Sequence, residues 1–162
     1  MSVVVDASLM LACVLQDERS EAAVAVVAEC VRDAQPLLAP FHFPVELASG
    51  IEQAARRGRI AGGDRVPAFR TALEPGIDLV TLPVEGGNGI PPLFDLVDRS
   101  RLRVYGALYL QLALARAVPL ASLDDDLRRA ARAEGVDVLP AAEQGAGRTP
   151  IRPGQRRRPR RG

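Results

Sequence analysis

The chain has no Lys and no Trp, and His42 is its single His among 162 residues. One His excludes a zinc site built from several histidines and argues against a Ser-His-Asp triad. Cys13 and Cys30 have no other Cys or His at metal-binding spacing, so the sequence predicts two buried, reduced thiols. No apolar run approaches the ~18 residues that cross a membrane, and no signal-peptide pattern is present. These absences predict a cytoplasmic protein without a membrane segment.

All of the basic residues are Arg, and they are unevenly distributed. Residues 148–162 contain seven Arg and no acid, so subtracting seven from the formal net charge of +1 leaves −6 on the rest of the chain. Proteins that coat nucleic acid are strongly basic, and a mildly acidic charge on residues 1–147 is not typical of them. From position 141 onward the chain is mostly Gly, Pro and Arg. The composition therefore predicts one folded domain over residues 1–140 and a disordered tail over residues 141–162.

Strand patterns alternate with helix patterns along the predicted domain. Val3-Val4-Val5 is an apolar β-branched run without alternation, which is typical of a strand buried on both faces of a parallel sheet. The other predicted strands are 37–40, 77–82, 120–123 and 136–139, and the predicted helices are 9–15, 21–32, 45–57, 64–73, 91–101, 104–117 and 127–133. This alternation predicts an α/β fold with a central parallel sheet flanked by helices. The glycines of residues 85–89 match no phosphate-binding pattern and predict a plain connection.

Acidic residues follow three of the predicted strands. Asp6 follows the first strand, Glu46 the second and Asp124 the fourth. Because ligands bind at the carboxyl ends of parallel strands, these acids are expected in one crevice. Each acid also has a purely structural interpretation, since Asp6 and Asp124 suit helix N-caps and Glu46 suits the helix dipole.

Three carboxylates in one crevice repel each other unless a cation compensates them. Oxygen ligands favour Mg²⁺ or Mn²⁺ over Zn²⁺, and such an ion can polarise a phosphoryl oxygen and activate water. The predicted reaction class is therefore hydrolysis or transfer at a phosphate ester. In the triple Asp we expect Asp124 to be the ligand, with Asp125 and Asp126 as supporting or helix-dipole groups. A phosphatase of another α/β fold is a weaker interpretation, because Ser8 stands where its D-x-D motif has the second acid.

Three stretches, taken together, resemble a PIN domain, and in particular the VapC-type toxins of bacterial toxin–antitoxin pairs. They are Val3-Val4-Val5-Asp6-Ala7-Ser8, Pro44-Val45-Glu46-Leu47-Ala48 and the segment 104–124. The resemblance implies a PIN-like three-layer fold and a Mg²⁺- or Mn²⁺-dependent endoribonuclease. It also implies a homodimer that a VapB-like antitoxin neutralises. The family's acids would fall on Asp6, Glu46, position 106 and Asp124, with Ser8 as a supporting hydroxyl.

The sequence departs from the family pattern at Gly106, where members carry Asp after the Tyr. Ser49, where Asn is frequent, is a lesser departure. Gly inside a helix is about 1 kcal/mol less favourable than Ala, so local stability gives no reason for it. Two explanations remain open: a naturally inactive protein, or an active toxin that lost the acid by a single base change.

Two hypotheses follow from these residues. The first is a VapC-like ribonuclease impaired at position 106, which would act on an accessible single-stranded region of RNA. Arg101 and Arg103 are candidates for facing that RNA. The second is a catalytically inactive PIN module that binds an antitoxin or RNA.

The composition of the tail generates a test. Deleting residues 145–162 is expected to leave the melting temperature nearly unchanged, because the tail has too few apolar groups to pack on the domain. Differential scanning fluorimetry of the full and truncated chains measures this, and a loss of several degrees would show that the tail docks on the body.

Overall fold

The central layer of the protein is a sheet of five parallel strands. The computed structural model describes residues 1–15, 19–83 and 89–141. The strands are β1 Val3–Val5, β2 Leu37–Pro40, β3 Ile77–Val80, β4 Leu120–Ala121 and β5 Val138–Leu139. Their order across the sheet is β3-β2-β1-β4-β5, and every neighbouring pair is parallel. The predicted parallel α/β sheet is confirmed.

Strand β1 lies at the centre of this sheet because its Val residues can be buried on both faces. All three are at most 1% exposed. On one side of β1, Val3 pairs with Leu37 of β2. On the other side, Val4 pairs with Leu120 of β4. The chain direction is the same in all the strands, so the residues after β1, β2 and β4 emerge at one edge.

Seven helices connect and cover the strands in the described part of the chain. They are α1 Ala7–Leu15, α2 Ser20–Arg32, α3 Phe43–Arg56, α4 Arg65–Leu73, α5 Ile90–Ser100, α6 Val104–Arg116 and α7 Asp125–Ala133, with a short 3₁₀ turn at Gly62–Asp64. Helix α6 packs on β1, β2 and β4 and also contacts α5 and α7, while α1 packs against α2, α3 and α4. No helix in the described ranges is both long and apolar enough to cross a membrane.

Side-chain hydrogen bonds move several boundaries away from the predicted positions. Helix α1 begins at Ala7 rather than at position 9, because Asp6 accepts a hydrogen bond from the Leu9 N–H. Strand β4 ends at Ala121 rather than at position 123, because the Leu123 N–H donates to a side chain instead of to a neighbouring strand. The predicted loop at 85–89 and the predicted tail from 141 fall almost entirely outside the described residues.

A glycine allows helices α1 and α3 to approach each other closely. A Cβ atom added at Gly50 of α3 would collide with the Cδ1 atom of Leu11 in α1. A larger residue at position 50 would require the Leu11 side chain to move. Asp6 precedes α1 and Glu46 lies in the first turn of α3, so this contact joins the two helices next to two of the predicted site residues.

A buried arginine ties the ends of β4 and β5 together. The Arg128 guanidinium donates hydrogen bonds to the carbonyls of Ser122 at 2.6 Å, Leu139 at 3.0 Å and Pro140 at 2.8 Å. Burial lowers the pKa of this guanidinium from its ordinary value. Arg128 therefore holds the end of β5 against the turn that follows β4.

The Arg128 contacts generate a stability test. Arg128→Met keeps the aliphatic stem but removes three charge-assisted hydrogen bonds, so we expect it to lower the free energy of unfolding by about 2 kcal/mol or more. Arg129→Met is the matched control, because Arg129 is exposed and its ion pair with Asp126 is expected to contribute less than about 1 kcal/mol. Urea unfolding measures both changes. If the two variants lose the same free energy of unfolding, the three hydrogen bonds of Arg128 do not stabilise the fold.

Candidate active site

A cavity of about 480 Å³ lies at the carboxyl edge of the sheet. Asp6, Glu46 and Asp124, the three acids predicted from the strand ends, all line it. The rest of its lining is Arg101, Leu102, Arg103, Tyr105, Gly106, Tyr109, Asp126 and Leu127. The structure therefore brings the predicted acids, position 106 and both candidate arginines to one place.

Asp6 is buried and accepts hydrogen bonds on both carboxylate oxygens. The Ser8 hydroxyl lies 2.8 and 2.9 Å from its two oxygens, the Leu9 N–H donates to Oδ1 at 3.0 Å, and the Ser122 hydroxyl donates to Oδ2 at 2.8 Å. Burial nevertheless raises the pKa of Asp6 from 3.8 to about 6, and the charge of Glu46 adds to this rise. The hydrogen bonds act in the opposite direction but do not outweigh burial. Asp6 is thus both a helix cap and a wall of the cavity.

The same two hydroxyls join the turn after β1 to the turn after β4. Besides contacting Asp6, the Ser8 Oγ accepts a hydrogen bond from the Leu123 N–H at 2.9 Å, and the Ser122 Oγ accepts one from the Asp124 N–H at 3.0 Å. The sequence pattern predicts a supporting role for Ser8 but none for Ser122. Its position two residues before Asp124, within an apolar strand, is the signal that could have identified it.

Glu46 is held by a tyrosine from α6. The Tyr109 hydroxyl donates a 2.7 Å hydrogen bond to Glu46 Oε2, and His42 Nε2 lies 3.5 Å from the same oxygen. Burial acts to raise the pKa of Glu46, but the contacts with His42 and Tyr109 outweigh it, so this pKa lies below its ordinary value. Burial and the charge of Glu46 raise the pKa of Tyr109, which therefore stays a hydrogen-bond donor. Tyr109 was part of the sequence pattern, but its role depends on a contact between two helices.

The triple Asp divides into three different environments. Asp124 lines the cavity and caps α7, since its Oδ1 accepts the Leu127 N–H at 2.8 Å. Asp126 also lines the cavity and pairs with Arg129 at 2.6 Å. Asp125 is absent from the cavity lining and lies 3.5 Å from Arg19 on the surface. Both Asp125 and Asp126 lie in the first turn of α7, as the helix-dipole role predicts, and Asp126 also lines the cavity.

Gly106 faces the cavity without any steric need to be glycine. A Cβ atom at this position would meet only Leu102 atoms, at 3.9 Å, which is ordinary van der Waals contact. This differs from Gly50, where a side chain would collide with a neighbouring helix. An acidic side chain at position 106 would start in open space beside the three existing acids.

No protein-family model matches the sequence, and no curated protein matches it. Among solved structures, PAE2754 from Pyrobaculum aerophilum matches with a TM-score of 0.63 and 17% identity, covering 85% of this chain and 83% of that one. VapC20 from Mycobacterium tuberculosis, a toxin described as cleaving the sarcin-ricin loop, matches with a TM-score of 0.50 and 15% identity, covering 80% and 95%.

The chain has a PIN-like fold. The resemblance noted in the sequence is thereby confirmed for the fold, over most of the described chain. At these identities the similarity establishes architecture, while the chemistry of this chain has to be argued from its own residues.

The PIN-like fold raises the question of whether the acids can hold a divalent ion. Their chemistry suits Mg²⁺ or Mn²⁺, since four carboxylates line the cavity, those of the three predicted acids and of Asp126. Their geometry is incomplete, because the described residues contain no group of three His, Cys, Asp or Glu side chains close enough to share an ion. Asp124 is engaged in its cap, and position 106 offers no oxygen. The residues as they stand therefore do not form a closed ion site.

The raised pKa of Asp6 generates a pH-dependent test. Because the folded state binds this proton more tightly than the unfolded state, the free energy of unfolding should fall as pH rises from about 4 to about 6. Asp6→Asn removes this penalty, so it should raise stability at neutral pH, by on the order of 2 kcal/mol, and have little effect near pH 4. Thermal melts in EDTA across this range measure the difference.

Glu46→Gln is the matched control for that test. The pKa of Glu46 is lowered, whereas that of Asp6 is raised. The ionised Glu46 carboxylate therefore stabilises the fold at pH values above the ordinary pKa of Glu, and this contribution is lost as the pH falls. Glu46→Gln should therefore give no gain at neutral pH. If Asp6→Asn instead destabilises the protein at neutral pH, the hydrogen bonds to the charged carboxylate outweigh its burial.

Proposed function

We propose that this chain is a VapC-type PIN ribonuclease scaffold whose ring of acids lacks one member. The observation that carries the proposal is the single cavity shared by Asp6, Glu46, Asp124 and Gly106 at the carboxyl edge of a PIN-like sheet. The substrate class is RNA, and the bond attacked is a phosphodiester. The similarity to VapC20, a toxin that cleaves RNA, supports this choice of substrate.

The residues of the cavity suggest how the parts would act. Asp6 and Glu46 are fixed by hydroxyl groups of Ser8, Ser122 and Tyr109, so their positions do not depend on solvent. Arg101 and Arg103 bring positive charge to the lining, where it can attract the phosphates of an approaching strand. With an acid restored at position 106, Asp6, Glu46 and Asp124 would be the residues to hold Mg²⁺ or Mn²⁺, and the ion would supply polarisation of a phosphoryl oxygen and activation of water.

In this form the nuclease would be impaired, because Gly106 supplies no carboxylate. Three acids remain, and two of them already serve as helix caps, so an ion would be held weakly. The open space around Gly106 supports the proposal that an acid can occupy this position without rearrangement.

The proposal includes the partners of a toxin–antitoxin pair. A VapB-like antitoxin would cover the cavity, and the chain would form a homodimer, as the family resemblance implies. Co-expression with the gene directly upstream, followed by affinity purification, tests the first of these partners.

A second candidate function is a binding module that never cleaves. It is favoured by the absence of three acids near enough to share an ion within the described ranges. Such a module would keep the fold, the cavity and its arginines, and it would bind RNA or an antitoxin without turnover.

Restoring the acid separates the two functions. Gly106→Asp should bind Mn²⁺ more tightly than the parent chain and should cleave structured RNA, since it completes the ring of acids. By analogy with other preorganised electrostatic groups, the gain in rate should be on the order of 10²-fold or more. Position 106 lies in the first turn of α6, where a carboxylate also suits the helix dipole, so stability should change little.

Calorimetric titration with Mn²⁺ and a gel assay of RNA cleavage measure these effects. The double variant Gly106→Asp/Asp6→Asn is the control for contaminating nuclease. If Gly106→Asp is folded and binds Mn²⁺ but is no more active than the double variant, the binding module is the better description.

A further inference from the structure

A second cavity, of about 500 Å³, adjoins the acid-lined one. Its lining is Phe41, His42, Val45, Glu46, Ser49 and Tyr105. Glu46 and Tyr105 line both cavities, so the two spaces share a wall. The two cavities are therefore neighbours, on either side of residues from α3 and α6. The nuclease function proposed above does not use this second space.

The wall of this aromatic cavity exposes side chains that proteins usually bury. Phe41 is 53% exposed, Tyr105 is 63% exposed and Val45 is 74% exposed. Both aromatic rings are braced against the ring of His42, with centroids 5.8 Å away for Phe41 and 5.1 Å away for Tyr105. Both exposed rings therefore contact one buried side chain. Exposed apolar groups clustered beside a functional cavity mark a contact surface.

His42 gives a second, independent sign that something completes this cavity. The side chain is more than nine-tenths buried, yet Nδ1 has no hydrogen-bond partner within the described residues. Nε2 has only the long 3.5 Å contact with the Glu46 carboxylate. A buried polar group without a partner is unfavourable, and such groups in native proteins call for an explanation. A bound ligand that reorders this wall is one.

We propose that the aromatic cavity receives an unstacked RNA base whose phosphate lies in the acid-lined cavity. This inference rests on the proposed ribonuclease function and assigns a base-binding subsite to it. Phe41 and Tyr105 supply ring faces on which any base can stack, and the Ser49 hydroxyl lies on the same lining. The volume falls within the roughly 300–1,000 Å³ typical of ligand pockets.

The charges around the two cavities favour RNA over an apolar partner. Arg101 and Arg103 line the neighbouring cavity and can pair with the phosphates on either side of the stacked base. The only acid in the aromatic cavity, within the part of the chain that the structure describes, is Glu46, and it is tied to Tyr109. A nucleotide has a flat base and an anionic phosphate. The base matches the aromatic cavity, and the phosphate matches the arginines of the neighbouring cavity.

The test uses the full chain and fluorescein-labelled single-stranded oligo(A) and oligo(U), with Ca²⁺ replacing Mg²⁺ to limit cleavage. Fluorescence anisotropy compares the parent chain with Phe41→Ala. Phe94→Ala is the matched control, because Phe94 is 58% exposed but lines neither cavity. Phe41→Ala should weaken RNA binding about tenfold, as expected for the loss of one base–aromatic stack, whereas Phe94→Ala should not.

Two further measurements assign the effect to stacking. In an oligonucleotide with one abasic position at the stacked base, the parent chain should lose about the same affinity, and Phe41→Ala should lose nothing more. The chain has no Trp, so Phe41→Trp provides a single reporter whose fluorescence the stacked base should quench while affinity is kept. Quenching together with non-additive losses would establish the subsite.

Several outcomes would overturn the inference, and they can be told apart. If RNA binds the parent chain but Phe41→Ala has no effect on affinity and Phe41→Trp is not quenched, the subsite is wrong while the proposed function stands. If Phe41→Ala instead changes the oligomeric state in size-exclusion chromatography with RNA affinity intact, this surface is an interface between copies. If the folded parent chain binds no RNA, the proposed function fails, and the subsite fails with it.

Discussion

The hydrogen bonds between Asp6 and the two hydroxyls of Ser8 and Ser122 tie together the turns that follow β1 and β4. These turns carry Asp6 and Asp124, so one small network decides where two of the three acids lie. The network sits at the end of a fully buried central strand and cannot move without disturbing the sheet. Burial also opposes the charge on Asp6, and hydrogen bonding only partly offsets it. The geometry of the cavity and the stability of the fold therefore share the same contacts.

The third acid reaches the cavity by a different route. Glu46 lies on α3, which packs against α1 where Gly50 faces the Leu11 side chain. Its carboxylate is then fixed by Tyr109 from α6. Three helices must consequently pack correctly before Glu46 faces Asp6. This arrangement links the core packing to the electrostatics of the cavity, since the charge of Glu46 contributes to the raised pKa of Asp6.

Local patterns in the sequence were sufficient to predict the parallel sheet, the burial of β1 on both faces and the acids at the strand ends. These predictions were correct because each one depends on residues that are close together in the sequence, such as three consecutive Val residues or an acid directly after a strand. Ser122, Tyr109 and the surroundings of His42 were not predictable in this way, because their roles depend on contacts between residues distant in the chain. The capping and cavity-lining interpretations of Asp6 and Asp124 looked like alternatives, but the structure shows that each residue does both.

The open space at Gly106 distinguishes this position from the acids around it. A change at Asp124 disturbs a helix cap, and a change at Glu46 leaves the Tyr109 hydroxyl without its acceptor. At position 106 an added Cβ atom would meet only Leu102 atoms, at ordinary contact distance. A carboxylate can therefore be gained or lost at position 106 with little change in the fold. Such a substitution would keep the shape of the cavity and alter only its charge.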